Sequence, residues 1–200
     1  MRSESLQTFL HAAQTAFSSR VEDPGGAASI ARIFSALETP GTPSEGPGTR
    51  LPACKHLEAA TNPKNVSDPA LKTLLQTFTE LEPSLTWRSR TGDCTNASAD
   101  FPGNHANAII IGPGGVERRS DVWLGVSLVA PNIRYPDHDH PPEETYLVLS
   151  PGDFMQGEGN WFTPGIGGTL YNPPGILHAM RSGAAPLFAF WALWAAPHGG

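Results

Sequence analysis

The 200-residue chain has no long hydrophobic run, few cysteines and no concentration of positive charge. Its longest apolar stretch, PLFAFWALWAA at 186–196, is too short to cross a bilayer as a helix and suits a strand buried on both faces. The two cysteines, Cys54 and Cys94, form no CxxC pair. A structural zinc cage is thereby excluded, and unpaired thiols are expected. Thirteen basic residues face nineteen acidic ones, for a net charge of −6, and they form no stripe. Nucleic acid is therefore not an expected partner, and neither is a membrane. The N-terminal MRSESLQTFLHAAQTAF lacks the apolar core and cleavage site of a secretory signal, so the cytoplasm is the expected location. GPGG at 112–115 is followed by no GK[ST] and reads as a hairpin turn, not a phosphate loop.

What the chain does have is punctuation. Its 21 glycines and 20 prolines fall largely between short apolar runs, as the turns of a β-rich fold would. The first ninety residues read differently. Leu6, Phe9, Leu10, Ala13 and Phe17 recur at helical spacing, as do Ile30, Ile33, Phe34 and Leu37. TPGTPSEGPGTR at 39–50 is a loop. Asp68 followed by Pro69 predicts a helix start, with Leu71, Leu74, Leu75, Phe78 and Leu81 on one face and an end before Pro83. After about residue 100 the period falls to two. Strands are expected at 107–111, 121–130, 144–150, 168–172, 176–181 and 187–195, separated by turns such as SPGD and NPPG. The division expected is a helical N-terminal extension over 1–95 and a β domain over 96–200.

The chemistry concentrates in YPDHDHPPEETYLVLSPGD at 135–153. On a strand, Glu144 and Tyr146 share a face. His138 and His140 also share one locally, and with a carboxylate four residues on they can surround one divalent ion. Imidazole and carboxylate together suit zinc, iron, manganese or nickel. A further ligand must come from elsewhere, and His178 follows the NPPG turn. His11, His56, His105 and His198 read as ordinary histidines.

His138-x-His140-xxx-Glu144 followed by Gly152 resembles the first motif of the cupin superfamily, with one extra residue before the glycine. Gly167-xxxxx-Pro173-x-Gly175-xx-His178 resembles the second, with Ser182 where the closing asparagine usually stands. The resemblance implies a mainly β cupin jelly-roll (double-stranded β-helix) barrel, with a metal inside held by His138, His140, Glu144 and His178. The finer text is more specific. Tyr135-Pro-x-His-x-His-x-Pro-Glu-Glu-x-Tyr146, Trp161, PGIGGTLYNPPGILHAMRS at 164–182 and the closing FWALW resemble the cupin-type dimethylsulfoniopropionate lyases of marine bacteria.

That family resemblance implies β-elimination of a small zwitterion to dimethyl sulfide and acrylate, with one divalent metal, zinc or iron foremost, as cofactor. A metal on the substrate carboxylate would stabilise developing enolate charge, and a base must reach the proton on the adjacent carbon. Tyr146, on the Glu144 face, is the expected base, with Tyr135 sharing the role or binding the carboxylate. Trp123, Trp161, Tyr171, Trp191 and Trp194 offer aromatic faces to the sulfonium. Two other classes compete. A different metal-dependent cupin enzyme, an oxygenase or isomerase, would use the same ligands. A binding module would hold a small effector, although such cupins commonly lose a ligand or carry a DNA-binding domain.

Overall fold

Helices start where the sequence offers a cap. Ser3, Asp23 and Asp68 each accept a backbone N–H three residues on, from Leu6, Gly26 and Leu71, and Pro24 and Pro69 occupy the first helical position, where a missing N–H costs nothing. The computed structural model describes residues 2–44 and 46–196, so His198 lies outside the described residues. Its helices are α1 Glu4–Ser18, α2 Pro24–Ala36, the single turn α3 Leu57–Ala60, and α4 Pro69–Leu81. The strands are β1 Thr42–Pro43, β2 Trp87–Arg88, β3 His105–Ile111, β4 Glu117–Arg118, β5 Val122–Val129, β6 Glu143–Val148, β7 Asp153–Gln156, β8 Thr169–Asn172, β9 His178–Arg181 and β10 Leu187–Trp194.

The large sheet runs β1-β4-β3-β5-β10-β6-β8, with β2 on β3, and β7 and β9 form a second, smaller sheet. The two sheets enclose a jelly-roll barrel. Alternation along β10 shows how the layers divide. Leu187, Ala189, Trp191 and Leu193 face the interior with Tyr146, Val148, Phe154 and Met180. Phe188, Phe190 and Ala192 face outward, against the helices. Both faces are thus buried, as the apolar run at 186–196 predicts. Phe9 of α1 and Phe78 of α4 meet Phe190 at ring distances of 5.8 and 5.3 Å, and Phe78 meets Phe188 at 5.2 Å. The apolar stripes of α1 and α4 therefore share one core with the outer face of the sheet. Beyond them, Arg2 pairs with Glu117 through two contacts of 2.6 and 2.7 Å, both side chains almost fully buried.

Cys54 is buried, Cys94 exposed, and both are free. Among the described residues no helix is long and apolar enough to cross a membrane.

Candidate active site

A short antiparallel seam builds the site. The segment before β6 lies alongside β9: Tyr135 N–H donates to Met180 C=O at 2.9 Å, and His138 and His178 exchange backbone hydrogen bonds of 3.0 and 2.8 Å. The two imidazoles consequently sit 4.0 Å apart, centre to centre. Pro141 and Pro142 then turn the chain back into β6, bringing His140 and Glu144 to the same place.

Glu144 Oε2 lies 3.3 Å from His140 Nε2 and 3.2 Å from His178 Nε2. One donor atom from each of these three residues lies within 4.8 Å of the others. His138 adjoins that group through His178, its ring 6.2 Å from that of His140. Each imidazole is oriented by its own segment, with Nδ1 of His138, His140 and His178 at 3.0, 2.8 and 2.9 Å from the carbonyls of Pro136, Pro142 and Ile176. A carbonyl can only accept, so Nδ1 carries the proton and Nε2 presents a lone pair. His178 Nε2 is buried and makes no hydrogen bond despite its closeness to Glu144. Two acceptors brought this close, in a buried site, are the donor set of a cation.

Electrostatics agree with that reading. Burial opposes ionisation of Glu144, but the His140 and His178 imidazoles beside it hold its carboxyl well below the usual range. Burial, and then His178, push the His138 imidazole down to about 3, so it stays neutral. Deprotonated carboxylate and neutral imidazole are the forms that bind metal. Asn172 Nδ2 donates to Glu144 Oε2 at 3.2 Å, and Gln156 Nε2 donates to Asn172 Oδ1 at 2.6 Å, so the carboxylate is held from behind.

Tyr135 and Tyr146 are both interior and almost fully buried. Burial, and then the Glu144 charge, raise the Tyr146 phenol well above its ordinary pKa. Burial raises the Tyr135 phenol as well, opposed by the hydrogen bond its oxygen accepts from Asn107 Nδ2 at 2.8 Å and by Arg90, whose guanidinium lies 5.9 Å from its ring. Trp191 lines the interior, its Nε1 donating to Ser127 Oγ at 3.1 Å, with its ring across Gly125, where a Cβ would come within 2.3 Å of it. Trp123 packs against the same interior cluster.

Three of the aromatics read as sulfonium contacts lie elsewhere. Tyr171 donates its hydroxyl to Glu143 at 2.7 Å on the helix side of the sheet, its ring against Gly25. Trp194 packs against the helix-side core under Arg32. Trp161 stacks on Arg134 and Arg181, away from the histidines. Glu143, next to Glu144 in the chain, is buried and paired with Arg32 and Tyr171. A cleft of about 580 Å³ is lined by Arg50, Lys55, Thr61 and Phe78 among others, and by none of the histidine cluster. The polar residues that serve the site, Arg90, Asn107, Gln156 and Asn172, escape motif reading. Asn107 alone leaves a trace, as a polar residue on the inward face of an apolar strand.

With the geometry in view, comparison with known proteins is direct. Solved structures of the DMSP lyases RdDddP and RnDddQII match over 98% of this chain and 95% of theirs, at 22% identity and a TM-score of 0.72. The DMSP lyase DddQ from Ruegeria pomeroyi DSS-3 matches over 100% and 95%, at 22% identity and a TM-score of 0.71. At that identity the likeness establishes the fold. No curated protein matches the sequence. The dimethylsulfoniopropionate lyase family profile, however, matches residues 26–189, which include most of α2, all of α4, both cupin motifs and every side chain of the histidine cluster. The chain belongs to the dimethylsulfoniopropionate lyase family.

Proposed function

We propose that this enzyme holds one divalent ion through His140, Glu144 and His178, with His138 completing the set, and cleaves dimethylsulfoniopropionate to dimethyl sulfide and acrylate. The observation that carries the metal is the pair of acceptors, His178 Nε2 and Glu144 Oε2, buried 3.2 Å apart without a hydrogen bond between them. Zinc and iron suit these ligands, and manganese or nickel would also be accepted. When bound, the ion supplies Lewis acidity to the substrate carboxylate.

The remaining roles belong to side chains. Spacing favours Tyr146 as the base, but the surroundings favour Tyr135. Asn107 donates to the Tyr135 oxygen and Arg90 lies nearby, both of which stabilise a phenolate there. Tyr146 shares its burial with the Glu144 charge, which keeps the proton on its oxygen. In this reading the Tyr135 oxygen takes the proton from the carbon next to the carboxylate. That C–H pair becomes the new C=C bond, and the C–S pair departs with dimethyl sulfide. Tyr146 places its oxygen at the metal site beside Glu144. Trp191 and Trp123 present aromatic surface to the sulfonium, contacts worth roughly 0.5–2 kcal/mol each.

Headspace detection of dimethyl sulfide tests the reading. Metal-loaded protein should release dimethyl sulfide and acrylate in equal amounts without consuming oxygen. A preparation loaded in turn with zinc, iron, manganese and nickel that releases neither would defeat it.

A further inference from the structure

Buried polar groups in folded proteins are nearly always hydrogen-bonded. Among the described residues, the buried side-chain atoms without partners include Arg90 Nε, Asn107 Oδ1 and Trp123 Nε1; Arg90 and Asn107 adjoin Tyr135, and Trp123 packs on the interior cluster. Arg90 carries a full charge. It sits just beyond β2, where its backbone N–H donates to His105 Nε2 at 2.7 Å and so fixes the origin of the side chain. Its guanidinium is half-buried, lies 5.9 Å from the Tyr135 ring, and its field acts on His138 and Tyr146 as well.

Asp93 and Arg90 feel each other's charge, but Asp93 is exposed and does not pair with the guanidinium. Arg90 joins none of the ion pairs among the described residues. Asp93, three residues on, is turned to the Thr95 hydroxyl at 2.7 and 2.8 Å. Glu144 is occupied by His140, His178 and Asn172. A partly desolvated guanidinium without a counter-charge is costly, and an anionic ligand would remove that cost.

We infer that Arg90 binds the carboxylate of the zwitterionic substrate and so sets which end enters first. The inference rests on the lyase reading above. A fixed cation attracts the carboxylate and repels the sulfonium, so the zwitterion has one favoured direction in the barrel. Arg90 would therefore decide between substrates that carry a carboxylate and those that carry a neutral group in its place.

The test uses metal-loaded protein, with dimethylsulfoniopropionate compared with its carboxamide, which keeps the sulfonium and loses the charge. Propionate, which has no leaving group, serves as a calorimetric probe of binding alone. Arg90→Gln should raise KM for the acid and weaken propionate binding by about 10- to 100-fold, the scale of one charge-assisted hydrogen bond. Turnover at saturation should fall alike for acid and amide, since Arg90 also supports the Tyr135 phenolate, while KM for the amide should be little affected and Arg90→Lys should recover part of the loss in acid binding. In the unaltered protein, propionate should protect Arg90 from phenylglyoxal. Equal rises in KM for acid and amide, propionate binding that survives Arg90→Gln, or absent protection would overturn the inference. Failure of the normal enzyme to release dimethyl sulfide would instead count against the lyase reading, while the propionate and phenylglyoxal measurements would still decide on Arg90.

Discussion

Two buried tyrosines eleven residues apart in sequence differ in their polar neighbours, and that difference is measurable. Tyr135→Phe should lower turnover by about 10²–10⁴, the usual contribution of a general base, while metal content stays near that of the parent protein. Tyr146→Phe should instead weaken metal retention. Full turnover in Tyr135→Phe, with loss confined to Tyr146→Phe and metal unchanged, would return the base role to Tyr146. For the metal itself, His178→Ala and His140→Ala should each purify with far less bound ion, as read by elemental analysis. At this scale the motif histidines and Glu144 were legible because their spacing places them on neighbouring strands. Arg90 and Asn107 were not, because no local pattern reports a hydrogen bond between residues 28 apart. His105, read as ordinary, pins the Arg90 segment. Its Nδ1 is 2.8 Å from Phe101 C=O, its Nε2 accepts from Arg90, and burial lowers its pKa below the ordinary 6.5.

That lowered pKa has a definite sign. The unfolded chain takes up the proton before the folded one does, so stability is full above pH 6.5 and declines as pH falls toward the folded value. A His105→Gln variant should lose this part of the acid sensitivity, visible as a flatter Tm-against-pH curve between about pH 6.5 and 5. An unchanged slope would show that His105 does not carry it.

Among the elements, β10 joins both layers, its odd residues lining the barrel and its even ones meeting the helices. Phe190→Ala should cost about 3–5 kcal/mol in chemical denaturation, since it empties a fully buried aromatic site. Gly125→Ala probes the other face. Its methyl would overlap the Trp191 ring, and the indole fluorescence should shift as the ring is displaced. Periodicity places α1, α2, α4 and the strands β3, β5, β6, β8, β9 and β10. It misses β7, as long as β8 and β9, and the two-residue β1, β2 and β4, which pair with an adjacent strand; α3 with its 3-10 turn at Pro52–His56 fills a span without strong periodicity.

For the molecule as a whole, we propose that the helical extension and the barrel fold as one unit. Removing residues 1–65 would take α1 and α2 off the outer face of the sheet, with Phe9 lost from beside Phe190, and β1 would go with them. Such a truncation should be insoluble or show no cooperative melt; a soluble, cooperatively folding 66–200 fragment would refute the proposal. The Arg2–Glu117 pair adds a clasp at the far end. Glu117→Ala would leave Arg2 buried and unpaired, at about 3–5 kcal/mol by the general behaviour of buried pairs. The motif pair made the barrel and the family readable from the chain, because both cupin motifs are local. The aromatics that turned out to serve the helix interface were not separable from those lining the barrel, since a tryptophan beside a strand looks the same in sequence on either face.

Glu143 and Glu144 are successive residues pointing to opposite sides of one strand. The first is tied to Arg32 of α2 and to Tyr171, the second to the histidines. A peptide unit cannot shift for one without shifting for the other, so ion occupancy and the seating of α2 are thermodynamically reciprocal. If filling the centre tightens α2, disturbing α2 must loosen the hold on the ion by an equal free energy. Amide hydrogen exchange in α2 should therefore slow when metal is added, at a distance from any ligand. Arg32→Ala, which touches neither ion nor substrate, should raise the metal dissociation constant.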